Sequence, residues 1–340
     1  MNGFDRRETA SIVCLDSNVW RYLSDHGAGG LLNSLARHDR LVIAAAPAVL
    51  YEALRTSNPE VRSRLVRLIT HHQWMKLMPE AFLESEELFY EIRRVRPQWI
   101  KQNTNLRYRN KLIHDWKRQK GGTWHRARFE CEDLREYLNG LECDQLTRAR
   151  HQVRNHREVA SSLGRAVESV RLDAEIKFQV DELDVVVEAW RACTFYCYTK
   201  DLCRLNSTFV EWLQPLVQIK QMLQDPDWVT FWHQETQAAN LPRAWIRYAM
   251  EQLTPFLSVN DGTPCDTQIA SYCADSDYFI TADKRFFRIL EICRKQAPFS
   301  MAEPILFKYQ DDIHLSIETS LMQIRKSRGV ELRPCNRSMV

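Results

Sequence analysis

Residues 11–20, SIVCLDSNVW, decide the fold. The apolar run Ile12, Val13, Cys14, Leu15 ends on Asp16, the pattern of a strand buried on both faces of a parallel sheet, with an acid at its C-terminal end. An amphipathic stretch follows to about Ala36. LVIAAA (41–46) then reads as a second buried strand, and Pro47 suits the first turn of a helix over APAVLYEALR (46–55). Asn58-Pro59 restarts a helix through Leu65 and Leu68.

From about Lys76 to Gly262 the periodicity becomes that of long helices with few breakers. Ile176, Val180, Leu183, Val187 and Trp190 follow alternating steps of four and three, the stripe of a packed amphipathic helix. Asp261-Gly262-Thr263-Pro264 is turn chemistry. Beyond it TQIASYCA (267–274) reads as a helix, YFITA (278–282) as a short buried strand, KRFFRILEIC (284–293) as a helix and PILFKY (304–309) as a last strand. An α/β start, an all-helical middle and an α/β finish predict one doubly wound parallel sheet flanked by helices and interrupted by a large helical insertion. Residues 10–75 and 263–315 form the discontinuous α/β domain on this reading, residues 76–262 the insertion, and residues 316–340 a C-terminal segment that ends as a tail after about Ser327. Strands before about residue 75 are expected to pair in one parallel sheet with strands after about 263.

The composition, with 44% hydrophobic and 27% charged residues among 340, is that of a folded helix-rich protein. The N-terminus lacks an apolar h-region, and the longest apolar run, Leu41–Leu50, is broken by Pro47 and far too short to span a bilayer. No membrane segment is expected. The ten Cys show no paired CxxC framework, which fits a reducing cytoplasm. Cys193, Cys197 and Cys203 read either as metal ligands or as small apolar residues of a buried helix, and no second Cys/His pair completes a metal site.

The net charge of +3 says little, but its distribution says more. Twelve Lys and Arg fall between Arg93 and Arg128, against the single acid Asp115, a local field suited to a polyanion. Arg107, Arg109 and Lys111, interleaved with Trp99, Tyr108 and Trp116, suit single-stranded RNA, where bases stack on rings and phosphates meet charge. The alternative is a solvated basic helix whose Trp residues, Trp124 included, belong to the bundle core.

Four acids carry the candidate chemistry. Asp16 ends the first strand, Glu52 lies on the helix after the second, Asp266 opens the helix before YFITA, and Asp283 follows that strand. In an open α/β sheet, strand-end residues distant in sequence converge where strand order reverses. Four clustered carboxylates need compensation, which Mg²⁺ or Mn²⁺ supplies through oxygen ligation.

At these residues the chain resembles the PIN-domain ribonucleases, through LDSNVW around Asp16, PAVLYEAL around Glu52 and CDTQIASYCADSDYFITADKRF around Asp266 and Asp283. The resemblance covers about residues 10–75 and 263–310. It implies a PIN-like sheet and a metal-dependent endoribonuclease acting on single-stranded or structured RNA. Asp16, Glu52, Asp266 and Asp283 would be the metal ligands, with Asn18 and Thr281 as supporting polar groups. The insertion is not part of the usual compact family fold. Asp275 and Asp277 read as turn or capping residues, and Lys284 and Arg285 either as surface charges or as phosphate contacts beside Asp283. Two other readings stand beside this one. Arg109-Asn110-Lys111-Leu112-Ile113-His114 resembles the Arg-polar-x-x-x-His motif of metal-independent HEPN ribonucleases, and a catalytically silent scaffold would bind RNA or a protein partner. An inhibitory or regulatory partner fits the nuclease reading as well, and a toxin, a defence nuclease and an RNA-processing enzyme are all compatible with it.

Overall fold

The computed structural model describes residues 10–102, 104–136, 180–204, 207–253 and 263–328, with backbone alone for 180–186 and 263–265. The apolar runs form strands β1 (Ser11–Leu15), β2 (Leu41–Ala45), β3 (Met75–Lys76), β4 (Tyr278–Thr281) and β5 (Glu303–Leu306). All pair in parallel in one five-stranded sheet of order β3-β2-β1-β4-β5. As expected, β1 pairs with β4, in the register Val13↔Tyr278 to Leu15↔Ile280. Both strands are buried on both faces, which is why they read as continuous apolar runs rather than as alternation.

Between β1 and β2 lie α1 (Ser17–Asp25) and α2 (Gly29–His38), and between β2 and β3 lie α3 (Pro47–Leu54) and α4 (Pro59–Ile69). Asn58 caps α4 through Glu60 N and Val61 N, with Pro59 at the position where a missing N–H does no harm. The described part of the stretch between β3 and β4 is mostly helical, with an isolated antiparallel bridge between Ile100 and Val217. It holds α5 (Glu80–Val95), α6 (Arg107–Lys117), α7 (Thr123–Phe129), α8 (Val180–Leu202), α9 (Thr208–Leu213), α10 (Ile219–Gln224), α11 (Asp227–Thr230), α12 (Pro242–Leu253) and α13 (Thr263–Ser271). After β4 come α14 (Lys284–Gln296), β5 and α15 (Ile313–Ser327). Among the described residues no helix is long and apolar enough to cross a membrane.

Several expectations need correction. Lys76 belongs to a strand: β3 is only two residues long, too short to show a period, and is recognised by its pairing with Ala44 and Ala45. Thr263 and Pro264 open α13 rather than ending a turn, while Asp261 and Gly262 lie outside the described residues. Most of α15 lies in the C-terminal segment, where it buries Ile317, Leu321 and Ile324 and pairs Arg325 with Asp39. Residues 329–340 of the expected tail lie outside the described residues. Of the 176–190 stripe, Trp190 is buried and Val187 half-buried, and the side chains of Ile176, Val180 and Leu183 are likewise outside description. Cys193 and Cys203 are exposed and Cys197 is half-buried, so they are not the buried residues expected.

Two arginines of α12, Arg243 buried and Arg247 half-buried, bind it to α5, and Arg243 also ties it to the sheet. Arg243 pairs with Glu87 of α5 and with Asp275, which lies just before β4. Arg247 pairs with Glu84, which also accepts from Tyr198 Oη of α8 at 2.7 Å. Burial works against the charge of Arg243, yet Glu87 and Asp275 hold it protonated. Asp277 accepts from Ile12 N at 2.7 Å and so caps the sheet's lower edge, in keeping with a capping role. Replacing Arg243 by Met strands two carboxylates and is expected to destabilise the protein by about 3–5 kcal/mol. Urea unfolding measures this, and a loss below about 1 kcal/mol would show that the network is not a fastening.

Candidate active site

The C-terminal ends of β1 and β4 lie side by side at the place where strand order reverses, the crevice in which open α/β sheets bind ligands. Asp16 follows β1 directly, and its backbone N–H donates to Ile280 O of β4 at 2.9 Å. Its side chain is buried, at 5% exposure. Oδ1 accepts from Ser17 N at 2.7 Å at the start of α1, and Oδ2 accepts from Thr281 Oγ1 at 2.6 Å. Thr281 is fully buried, and its hydroxyl oxygen also accepts from Asp283 N at 3.0 Å. Thr281 therefore links two of the acids through one oxygen. Asp283 caps α14, accepting from Arg285 N at 2.7 Å and Phe286 N at 3.1 Å.

Glu52, on α3, accepts from Ser17 Oγ. Asn18 accepts from Ala282 N at 3.0 Å, holding the turn between β4 and α14 against α1. Asp266 lies in the first turn of α13. Ser17 was absent from the expected set; its position immediately after the strand-end acid was the available signal.

The four acids act on one another electrostatically. Burial pushes the Asp16 carboxyl up to about 6; the Thr281 hydrogen bond opposes this, and Glu52 and Asp283 add to it. Asp266 is pushed up to about 8, first by burial and then by Asp16, Glu52 and Asp283, all acting in the same direction. The acids do not form a closed ligand shell: among the described residues no three His, Cys, Asp or Glu side chains are gathered as one. Asp16, Glu52 and Asp283 are each met by a protein donor, Thr281 Oγ1, Ser17 Oγ and Arg285 N respectively.

Comparison with known proteins returns no matching family, no curated relative and no solved structure. The functional reading rests on the side chains.

The expected nucleic-acid residues divide. Lys284 and Arg285 are exposed in the first turn of α14, next to Asp283. Arg107 and Lys111 are exposed on α6, and so is Tyr108, whose hydroxyl donates to Glu211. Trp99 is not a stacking surface. It is fully buried, its indole N–H donates to Asp225 at 2.7 Å, and its ring packs edge-on against Trp228 and Phe231. Trp116 is half-buried and meets Trp124 edge-on at 6.2 Å, so the bundle-core alternative holds for this pair. Arg109 is only 8% exposed, its guanidinium paired with Glu86 and lying over the Phe82 ring, while His114 is exposed. Five residues apart on one helix, Arg109 and His114 point about 140° from each other and are not brought together. The charge count of the segment also falls in three dimensions. Arg94 pairs with Glu91 on its own helix, Arg118 and Arg126 share Asp115, and Arg96 pairs with the distant Glu235.

The Asp266 shift has a testable consequence. Below about pH 4 its carboxyl is protonated in both folded and unfolded chains, and contributes nothing to stability. Between about pH 4 and about 8 the unfolded chain ionises first, so stability is lost as pH rises; above that the loss is complete. In EDTA, Asp266→Asn should raise the thermal midpoint at pH 8 and leave it nearly unchanged at pH 4. A variant less stable than the wild type at pH 8 would show that the carboxylate serves the fold.

Proposed function

We propose that the protein is a metal-dependent endoribonuclease of PIN-like design, with Asp16, Glu52, Asp266 and Asp283 holding Mg²⁺ or Mn²⁺. The observation that carries this is Asp266: a largely buried carboxyl with three further carboxylates acting on it and every influence opposing its charge. An all-oxygen acidic donor set matches hard divalent cations. When bound, such an ion offsets the carboxylate charge, lowers the pKa of bound water and stabilises the charge of a phosphodiester under in-line attack.

The chain's own residues supply the rest. Thr281 and Ser17 orient Asp16 and Glu52, as outer-shell partners orient ligands. Asn18 fixes the turn that carries Asp283. Lys284 and Arg285, exposed beside Asp283, are suited to phosphate oxygens, and Arg107 and Lys111 to more distant phosphates of a single strand.

Asp16→Asn and Asp283→Asn should each reduce Mn²⁺-supported cleavage of a single-stranded RNA to background, and should shrink the rise in thermal midpoint on adding Mn²⁺. Thr281→Val should cost about 10–100-fold in activity. EDTA-resistant cleavage that survives Asp16→Asn and disappears in His114→Ala would favour the metal-independent reading. RNA binding without cleavage in Mg²⁺ and in Mn²⁺ would favour a scaffold.

A double replacement of Arg107 and Lys111 by Gln should weaken RNA binding for all sequences alike. It should also reduce the slope of log affinity against log salt by about 0.7 per removed contact. An unchanged slope would place the RNA elsewhere.

A further inference from the structure

Asn18, Tyr22 and His26 are spaced by four along the chain at α1 and so share one of its faces. Asn18 accepts from Ala282 N, next to Asp283, so Tyr22 stands one helical turn, about 6 Å, from the residue that holds the Asp283 turn. The chain leaving β5 arrives at the same place. Phe307 N donates to Thr281 O at 2.8 Å, and Thr281 is the residue whose hydroxyl meets Asp16.

Three rings pile up there. The Tyr22 ring stacks on Phe307 at 6.1 Å between centroids and on Tyr309 at 4.7 Å, with 21° and 15° between the planes. Phe307 is 4% exposed, Tyr22 half-buried and Tyr309 43% exposed, so the pile runs outward from the core and ends in solvent on Tyr309. Tyr309 is also held in place. Its hydroxyl is 3.0 Å from His26 Nε2, and the backbone is tied on either side, by Phe307 N to Thr281 O and by Gln310 N to Ser316 Oγ at 2.9 Å. A ring fixed in this way loses little further freedom when something settles on it.

The surroundings select what settles. Lys308, Asp311 and His26 are polar and exposed, so a protein partner would meet one ring and no apolar patch. A nucleobase needs only one ring, and every base has a π-face. The charges of the loop, Lys308 against Asp311 and the α15 cap Asp312, give no net attraction for phosphate, which falls instead to Lys284, one residue beyond Asp283.

We infer that Tyr309 is a stacking platform for one unpaired base of an RNA strand that passes Asp283 in the crevice. The inference rests on the reading of that crevice as an RNA-cleaving site. It adds a contact that is independent of charge and that extends the pile Phe307, Tyr22, Tyr309 by one more ring.

The test uses the full chain carrying Asp16→Asn, in Mg²⁺, with single-stranded RNAs bearing fluorescent 2-aminopurine at successive positions. One position should be quenched on binding. Tyr309→Ala should abolish that quench and weaken binding about 5–100-fold, with the slope of log affinity against log salt unchanged because no phosphate contact is lost. Tyr309→Phe keeps the ring and should bind nearly as the parent does, whereas Tyr309→Leu, which has bulk but no π-face, should behave as Tyr309→Ala. An RNA lacking the base at the quenched position should bind the parent and Tyr309→Ala alike, which a merely structural role for the ring does not predict. Equal binding by Tyr309→Leu and Tyr309→Phe, or an unchanged quench in Tyr309→Ala, would overturn the platform, and Mn²⁺-dependent cleavage by the wild type would then leave the nuclease reading standing. RNA held through Tyr309 but never cut would keep the platform and remove the nuclease. No RNA binding at all would overturn both.

Discussion

The parallel pairing of β1 with β4 is the constraint on which the rest depends. It places Thr281 Oγ1 at 2.6 Å from Asp16 Oδ2 although 265 residues separate them. Closing a flexible loop of that length costs about 5 kcal/mol plus a constant. The helical stretch lowers that cost by being structured itself. Glu84 and Glu87 lie near the start of the stretch on α5, Arg243 and Arg247 near its end on α12, and they pair in the interior. Once they have met, the two ends are already close, and Asp275 carries the chain from Arg243 into β4. The same fastening that stabilises the insertion thus delivers the strand that completes the site.

Two of the acids cap helices, and capping does not exhaust them as acceptors. Asp16 accepts from the first N–H of α1, and Asp283 caps α14. A cap and a metal ligand are often treated as rival explanations of a strand-end Asp, yet an ionised carboxylate has about four lone-pair sites and each cap uses one or two. The cap fixes the rotamer and leaves acceptor capacity on the carboxylate. Replacing such a residue by Asn preserves part of the capping geometry while removing the charge. Stability and chemistry therefore separate in that substitution better than in a truncation to Ala.

Much of this was legible in the sequence because it is local. A strand buried on both faces writes itself as an apolar run, and the acid ending Ile12–Leu15 marks the sheet edge where chemistry collects. The N-cap and Pro at Asn58-Pro59 gave the start of α4 for the same reason. What escaped is long-range. β3 exists only through Ala44 and Ala45. The apparent polycation between Arg93 and Arg128 is partly neutralised by Glu91, close in sequence, and by Glu86 and Glu235, which are brought to Arg109 and Arg96 only by the fold. Trp99 looked like a platform among cations, but its N–H finds Asp225 more than a hundred residues later and its ring completes a core. Only α15 was within reach, since Ile317, Leu321 and Ile324 keep helical spacing.

The chain's handling of its other buried acids sharpens the meaning of the four at the sheet edge. Glu84, Glu87 and Glu91 are each met by an arginine, from α12 or from the same helix, and Glu91 also receives Gln237 N and Asn240. Burying a carboxylate is tolerable when it is paired and hydrogen-bonded in this way. Arginine is not scarce here, so its absence from the influences on Asp266 is not a shortage of cations. Natural structures relieve such frustration in the fold unless function keeps it. Pairing does not by itself bring a buried carboxyl down, since burial also pushes Glu87 up to about 8 beside Arg243; what sets Asp266 apart is that every influence on it opposes its charge.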